Sequence, residues 1–555
     1  MTAEDDDKTA IDSGTTTGDG RANDGETGSE RAFVLGLDGI PWYLIEQWAA
    51  AGELPHFARM IEEGAAGPLR STTPATTALA WPSIATGVGP DKHGIYGFQK
   101  LSGEHTHRMY LNTDVRQPEL WDVLSPAAVG NVPMTYPASE IDGELVAGMM
   151  TPDLEGTFTH PPEFSDEIRR RIPAYQVGLD WSDYAGRERE FARALSGLVG
   201  ARRKLMQLLM EREDWRLFFF VYTAPDRLQH LVWDEDVLLD HYRELDDILG
   251  EVMEYANEHE ATLFVVSDHG FGPISTFVSV NRIFENEGYL VRRRDGGTRG
   301  LLSDLGVTKS GVMSALKRVG IDDKTLVEYL PQGLLDATAK QIPGEHALYD
   351  VDFGETRVFF HGSGTVYVND TRRFANGTVD PADVPALKRD VEAMLSRVVD
   401  PETGERALDV YDGVELFPAD ENAPDLVVRG REEYQTIQSI TDEVFTGSGT
   451  KVASHRSEGI FLATGPDVAA GTTPENAHVV DVAPTLLHTV GEPIPENADG
   501  RVLTELFDPE SGAARRPVET RAYTAGDRPT RAGESEDDAD YSGVEDRLRG
   551  LGYLE

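Results

Sequence analysis

Three short apolar runs, each followed closely by an aspartate, constrain this chain more than any other feature. The first, Ala32-Phe33-Val34-Leu35-Gly36-Leu37, ends on Asp38-Gly39. The second, Arg216-Leu217-Phe218-Phe219-Phe220-Val221-Tyr222, precedes Pro225-Asp226, and the third, Thr262-Leu263-Phe264-Val265-Val266-Ser267, precedes Asp268-His269. Near-continuous apolar runs without in–out alternation mark strands buried on both faces, as in parallel sheets. A helical pattern over about 239–258 separates the second run from the third and makes a β-α-β unit. Helical patterns at 42–51 and 55–64 follow the first run. A fourth strand, Gly459–Ala463, precedes a helix over Val482–Val490. The expected fold is α/β, a central, mostly parallel sheet with helices on both faces. Ligands of such sheets bind outside the carboxyl ends of the strands, where Asp38, Asp226 and Asp268-His269 all fall.

Composition divides the chain further. Residues 1–30 are rich in Asp, Glu, Gly and Thr with almost nothing to bury, and are expected to be a disordered acidic tail. The catalytic core is expected over 31–275 and 376–510. Between them, 276–375 carries Arg- and Gly-rich turns (Arg292 to Gly297) and reads as an insertion or cap. Residues 511–555 read as a flexible tail with a short helical pattern from Val544 to Leu554.

The 555 residues include 97 acidic and 51 basic ones, a formal net charge of -46. A surface this negative repels polyanions, which excludes nucleic-acid binding by bulk charge. The basic residues are 10 lysines and 41 arginines. A large acid excess with few lysines reads as halophilic adaptation, since salt screens the mutual repulsion. Cysteine is absent, which rules out disulfides, thiolate nucleophiles and Cys-based metal sites. No apolar run approaches the roughly 20 residues of a membrane span. The N-terminus has no basic region followed by an apolar one, so no signal peptide is visible. The expectation is a soluble, cytoplasmic protein of unassigned oligomeric state.

The chemistry-bearing residues form a set rather than one motif. Asp226 and His230 lie four apart, on one face of a helical turn. Asp268-His269 stand together before Gly270-Phe271-Gly272-Pro273, a turn that lets adjacent side chains converge. His455 lies just before the fourth strand. Singly, each has an ordinary structural explanation: a solvated helix face, an Asx-turn, a core histidine, or for Asp38 a helix N-cap. Together, His and carboxylate ligands from several strand ends are what a borderline divalent metal such as zinc takes. The stretch Thr72 to Gly87 is crowded with hydroxyls and leads into a helix, where a threonine is either a cap or a nucleophile.

These residues resemble the type I phosphodiesterase/nucleotide pyrophosphatase group of the alkaline phosphatase superfamily. The resemblance is carried by Leu37-Asp38-Gly39, the block from Thr77 through Trp81-Pro82-Ser83 and Thr86-Gly87 to Lys92-His93-Gly94, Asp226-x-x-x-His230, Asp268-His269-Gly270 and His455-Arg456-x-Glu458-Gly459. Asp481-Val482-Ala483-Pro484-Thr485, Asp499-Gly500 and Leu551-Gly552-Tyr553 extend it. It implies an alkaline-phosphatase-like core and two divalent metal ions, zinc by preference with manganese as the alternative. Asp226, His230 and His455 would hold one ion, and Asp38, Asp268 and His269 the other, with Thr77 bridging as nucleophile. The implied reaction is hydrolysis of a small phosphate ester through a phospho-threonine intermediate. One departure is Ala80, where the group's pattern has an asparagine, so nucleotide specificity does not carry over. A sulfatase is set aside because no Cys- or Ser-x-Pro-x-Arg motif is present. A phosphomutase or phosphotransferase of the same superfamily is the alternative, and a non-catalytic metal-binding protein the third reading.

Overall fold

The computed structural model describes residues 29–179, 184, 186–293, 351–362, 364–523, 541, 543–545 and 548. The expected acidic tail up to residue 28, the stretch 294–350 of the expected insertion and most of the expected C-terminal tail lie outside the described residues.

The three apolar runs are neighbouring strands of an eight-stranded sheet. In chain order its strands are β1 (Ala32–Leu37), β2 (Ala65–Arg70), β3 (Ala127–Gly130), β4 (Gly143–Val146), β5 (Thr159–His160), β6 (Leu217–Tyr222), β7 (Thr262–Val266) and β8 (Glu458–Thr464). Their spatial order is β2-β8-β7-β1-β6-β3-β4-β5. β7, β1, β6, β3 and β4 run parallel, while β8 runs antiparallel to β7 and to β2, and β5 antiparallel to β4. β1 is central and wholly buried, pairing Ala32 with Leu217 on one side and Thr262 on the other.

The helices that frame the site are α1 (Trp42–Ala50), α2 (Pro55–Glu63), α3 (Thr77–Thr86), α4 (Glu188–Met210), α5 (Ala224–Leu231), α6 (Glu235–Glu258) and α7 (Val482–Thr489). All contribute buried side chains to the core around the sheet, among them Ile45, Phe57, Leu79, Leu195, Leu228, Leu245 and Leu486. α2 starts against α6, where Asp246 accepts from the backbone N–H groups of His56 (3.0 Å) and Phe57 (2.9 Å).

α3 is buried along its whole length and is fixed by two ties. Ser83 Oγ lies 3.1 Å from His93 Nε2, on the helical turn that comes next. Lys92 Nζ donates to Asp499 Oδ1 at 2.5 Å, and Asp499 Oδ2 accepts from Gly89 N. Gly87 ends α3 in the left-handed region (φ 73°), which glycine enters without steric cost. The motif residues Lys92, His93 and Asp499 therefore scaffold the helix that carries Thr77.

A second apolar core gathers Val278 to Leu290 with residues from Val351 to Tyr434. It packs on a four-stranded sheet in the order Val358–His361, Thr365–Val368, Leu426–Gly430, Leu408–Asp412. The lobe thus extends past residue 375, where the chain was expected to return to the catalytic core, because its last two strands come from 408–430. The chain leaves and re-enters the main body side by side, since Gly270–Pro273 pairs antiparallel with Ala453–Arg456.

The expected flexible tail is structured at its start. Gly512–Arg515 is a helical turn capped by Ser511, and Thr520–Arg521 pairs with Ile494–Pro495. Further on, Val544 and Leu548 are buried in the main core.

This packing can be probed at two points. A Cβ at Gly36 would lie 2.4 Å from the Trp81 ring and 2.8 Å from Val221. Gly36→Val should lower the unfolding free energy in urea by about 1–3 kcal/mol or more, the usual cost of overpacking a core. The second point concerns acid. Burial holds His93 neutral, down to about 3 against the ordinary 6.5. The unfolded chain then binds a proton that the folded chain refuses. Its contribution to stability is complete above about pH 6.5 and is lost as pH falls towards 3. His93→Gln should flatten the fall in urea midpoint between about pH 6.5 and 4.5 relative to the parent.

Candidate metal centre

The parallel register aligns the carboxyl ends of β1, β6 and β7: Leu37 faces Tyr222 and Gly36 faces Val266. Asp38 follows β1 directly and Asp268-His269 follow β7 after one residue. Asp226 and His230 stand on α5, which begins two residues beyond β6. His455 arrives differently. β8 is antiparallel, so its beginning, not its end, lies at this edge, and the strand Ala453–Arg456 just before it sets His455 opposite Phe271. α3 enters the same edge with Thr77 in its first turn.

All seven residues expected from the sequence come together. Thr77 Oγ1 lies 3.2 Å from His269 Nε2 and 3.4 Å from Asp38 Oδ1. Asp226 Oδ1 lies 3.4 Å from His230 Nε2 and 3.3 Å from His455 Nε2, and those two ring nitrogens are 3.1 Å apart. Among the described residues two groups have ligand atoms mutually within 4.8 Å: Asp226, His230 and His455, and Asp38, Asp226 and His269. Asp226 is therefore common to both. Asp268, expected in the second group, stands beside it: its Oδ1 accepts from Gly39 N at 3.1 Å, and its Oδ2 is 3.1 Å from His269 Nε2.

Hydrogen bonds fix the imidazole tautomers. His455 Nδ1 lies 3.1 Å from the carbonyl oxygen of Ala75, and His269 Nδ1 lies 3.1 Å from that of Gly270. A carbonyl only accepts, so each Nδ1 carries the proton and each Nε2 turns a lone pair into the site. Burial also holds His230, His269 and His455 neutral, each down to about 4.

Two of the carboxylates are pushed the other way from the imidazoles. Burial, with the charges of Asp268 and Asp226 beside it, pushes the Asp38 carboxyl well above the usual range. Burial raises Asp268 as well. Three buried carboxylates facing three neutral imidazoles form a donor set short of positive charge. Oxygen and nitrogen ligands in that state suit a borderline divalent cation, so the residues fit the metals that the sequence pattern implies.

Sequence reasoning passed over the supports of this site. Trp81 Nε1 donates to Asp38 Oδ2 at 3.1 Å. Its signal was present, because Thr77 and Trp81 are four apart on α3 and share a face. Gln229 Nε2 donates to the carbonyl of Gly39 at 2.9 Å while Tyr242 OH donates to Gln229 Oε1 at 3.0 Å. No spacing announces that pair, since its members meet only through the packing of α5 on α6.

Among solved structures, human ectonucleotide pyrophosphatase/phosphodiesterase 5 aligns with 86% of this chain and 100% of its own, at 11% identity and a TM-score of 0.48. The murine protein of the same name aligns with 84% of this chain and 97% of its own, at 12% identity and a TM-score of 0.46. An inactive form of the murine protein in complex with AMP aligns with 86% of this chain and 100% of its own, at 13% identity and a TM-score of 0.46. No curated protein matches the sequence. No helix among the described residues is long and apolar enough to cross a membrane. The family model "Type I phosphodiesterase / nucleotide pyrophosphatase" matches residues 32–460, a span that contains every residue of the cluster around Thr77. The chain belongs to the type I phosphodiesterase/nucleotide pyrophosphatase family.

Proposed function

We propose that the protein hydrolyses phosphate esters of the phosphodiester or pyrophosphate type, with Thr77 as nucleophile and two divalent ions, zinc or else manganese, as cofactors. The observation that carries this reading is the convergence on Thr77 Oγ1 of Asp38 and His269, backed by Asp226, His230, His455 and Asp268. His230 and His455 with Asp226 would hold one ion, and Asp38 and His269 with Asp226 the other, Asp268 adjoining. When bound, such ions supply positive charge that acidifies the nucleophile and stabilises attacking and leaving oxygens.

The chain's own groups account for the rest. The Thr77 hydroxyl donates to Asp38 Oδ1, which orients its lone pairs and gives its proton a direction in which to leave. Trp81 holds the other oxygen of Asp38, so that carboxylate does not swing. The attacking oxygen sits in the first turn of α3, and the positive end of that helix would stabilise phosphoryl oxygens bound there. Thr77 Oγ1 bonds to phosphorus, the bond from phosphorus to the leaving oxygen breaks, and water then cleaves the phospho-threonine ester.

Two tests bear on this. With zinc or manganese supplied, the protein should release p-nitrophenol from bis-p-nitrophenyl phosphate, and Thr77→Ala should lower kcat by on the order of 10³-fold or more. Acid quenching of the parent with a slow diester should leave on Thr77 the phosphoryl group still esterified to the retained alcohol, read as that added mass in a peptide mass spectrum. Full metal loading with no turnover of any phosphate monoester or diester would refute the reading.

The shared carboxylate makes a separate prediction about metal content. His455→Gln should retain about one ion per chain, whereas Asp226→Asn should fall below one, because it breaks into both groups. Elemental analysis of dialysed protein reads this directly. Equal losses in the two variants would show that Asp226 serves one group only.

A further inference from the structure

A cavity of about 330 Å³ opens between the segment Gly94–Gly103 and the second lobe. Its size is at the lower end of small-molecule sites. Beside it, the chain packs against the segment that leads into Thr77. His361, Gly362 and Thr365 line the cavity, and a Cβ at Gly364, in the same turn, would meet the Pro74 ring at 3.5 Å. Pro74 lies three residues before Thr77, and the carbonyl of the intervening Ala75 takes the His455 ring.

The charge of this lining runs against that of the chain. Lys100, Arg116, Arg372 and Arg373 line it, with Asp420 as its acid. Asp420 is already engaged, its Oδ2 accepting from Tyr96 OH at 3.1 Å and Arg116 Nη1 at 3.3 Å. Lys100 is anchored to Asp114, and Arg373 to Asp370 and Asp425, carboxylates that do not line the cavity. A guanidinium has five N–H donors and an ammonium three, so these anchors leave donors over.

Two lining residues also have stranded polar atoms. His361 Nε2 and Gln99 Nε2 are buried with no hydrogen-bond partner among the described residues. His361 is 4% exposed overall. Buried polar groups are normally satisfied, and these two residues border the cavity with that capacity unused.

Resting on the hydrolase reading above, we propose that this cavity receives the leaving group of the substrate and selects leaving groups that carry an oxyanion of their own, a carboxylate or a phosphoryl group. Lys100, Arg116 and Arg372 would pair with that oxyanion, and His361 and Gln99 would bond the polar body between it and the scissile phosphate. Charge-assisted and bidentate contacts of this kind are the strong ones.

The test separates binding from turnover. The full-length protein is titrated calorimetrically, at one fixed ionic strength, with 4-hydroxybenzoate, 4-hydroxybenzenephosphonate and the neutral 4-hydroxybenzamide. At least one anion should bind about tenfold or more tighter than the amide, and which of them does so distinguishes carboxylate from phosphoryl recognition. Arg372→Gln and Lys100→Met, each checked for parental circular dichroism, should cut that preference below about threefold. In parallel, phenyl phosphodiesters of 4-hydroxybenzoate and 4-hydroxybenzamide are compared by kcat/KM, where the charged ester should lead by a similar factor. Equal binding of all three probes, or turnover of both esters at one rate, overturns the proposal and leaves the hydrolase intact. No turnover of either ester or of bis-p-nitrophenyl phosphate overturns the hydrolase, and the leaving-group assignment with it.

Discussion

The site depends on the register between β1 and its two parallel neighbours. Parallel pairing stacks Leu37 beside Tyr222 and Gly36 beside Val266, which puts three strand ends at one level. A slip of one residue in any of them would turn its side chains to the opposite face and move its end by about 3.3 Å, more than a metal–ligand bond tolerates. Register is secured by burial on both faces, with Phe33 stacked on Phe218 at 4.4 Å and Trp81 filling the space that Gly36 leaves open. Core packing and site geometry are thus one problem in this protein.

What the aligned ends bring together is electrostatically expensive without a cation. Carboxylates at Asp38, Asp226 and Asp268 are buried side by side, and burial strips them of water. Part of the compensation is local: Trp81 Nε1 on Asp38 and Gly39 N on Asp268. The imidazoles themselves remain neutral, so they offer lone pairs and not charge. Strain of this sort collects at functional sites.

Much of this was legible from the chain alone, for a definite reason. Strands buried on both faces write themselves as unbroken apolar runs, and the residue after such a run has to sit at a sheet edge; Asp38 and Asp268 were readable on those grounds. Asp226 and His230 were readable because a helix brings residues four apart together. Thr77 was not distinguishable from a helix cap by composition, and only the wider pattern singled it out. The sharing of Asp226 between two groups was invisible, because it depends on the angle at which α5 leaves β6 and not on spacing. The second lobe extends past the expected far boundary, since strand 426–430 pairs with Thr365–Val366 about 60 residues earlier and with 408–412 on its other side, and local pattern has no reach over that distance.

The way the second lobe is attached has a consequence of its own. The chain departs after Gly270–Pro273 and returns through Ala453–Arg456, two strands paired with each other, so the lobe grows out of the body on a single two-stranded stem. Everything between can change in length or composition without shifting the strands beneath, because the ends of the excursion already lie side by side. Yet His269 precedes one side of the stem and His455 stands on the other. The lobe is thus a head mounted between two of the residues gathered around Thr77, an arrangement that lets the head vary while the strands that carry them stay in place.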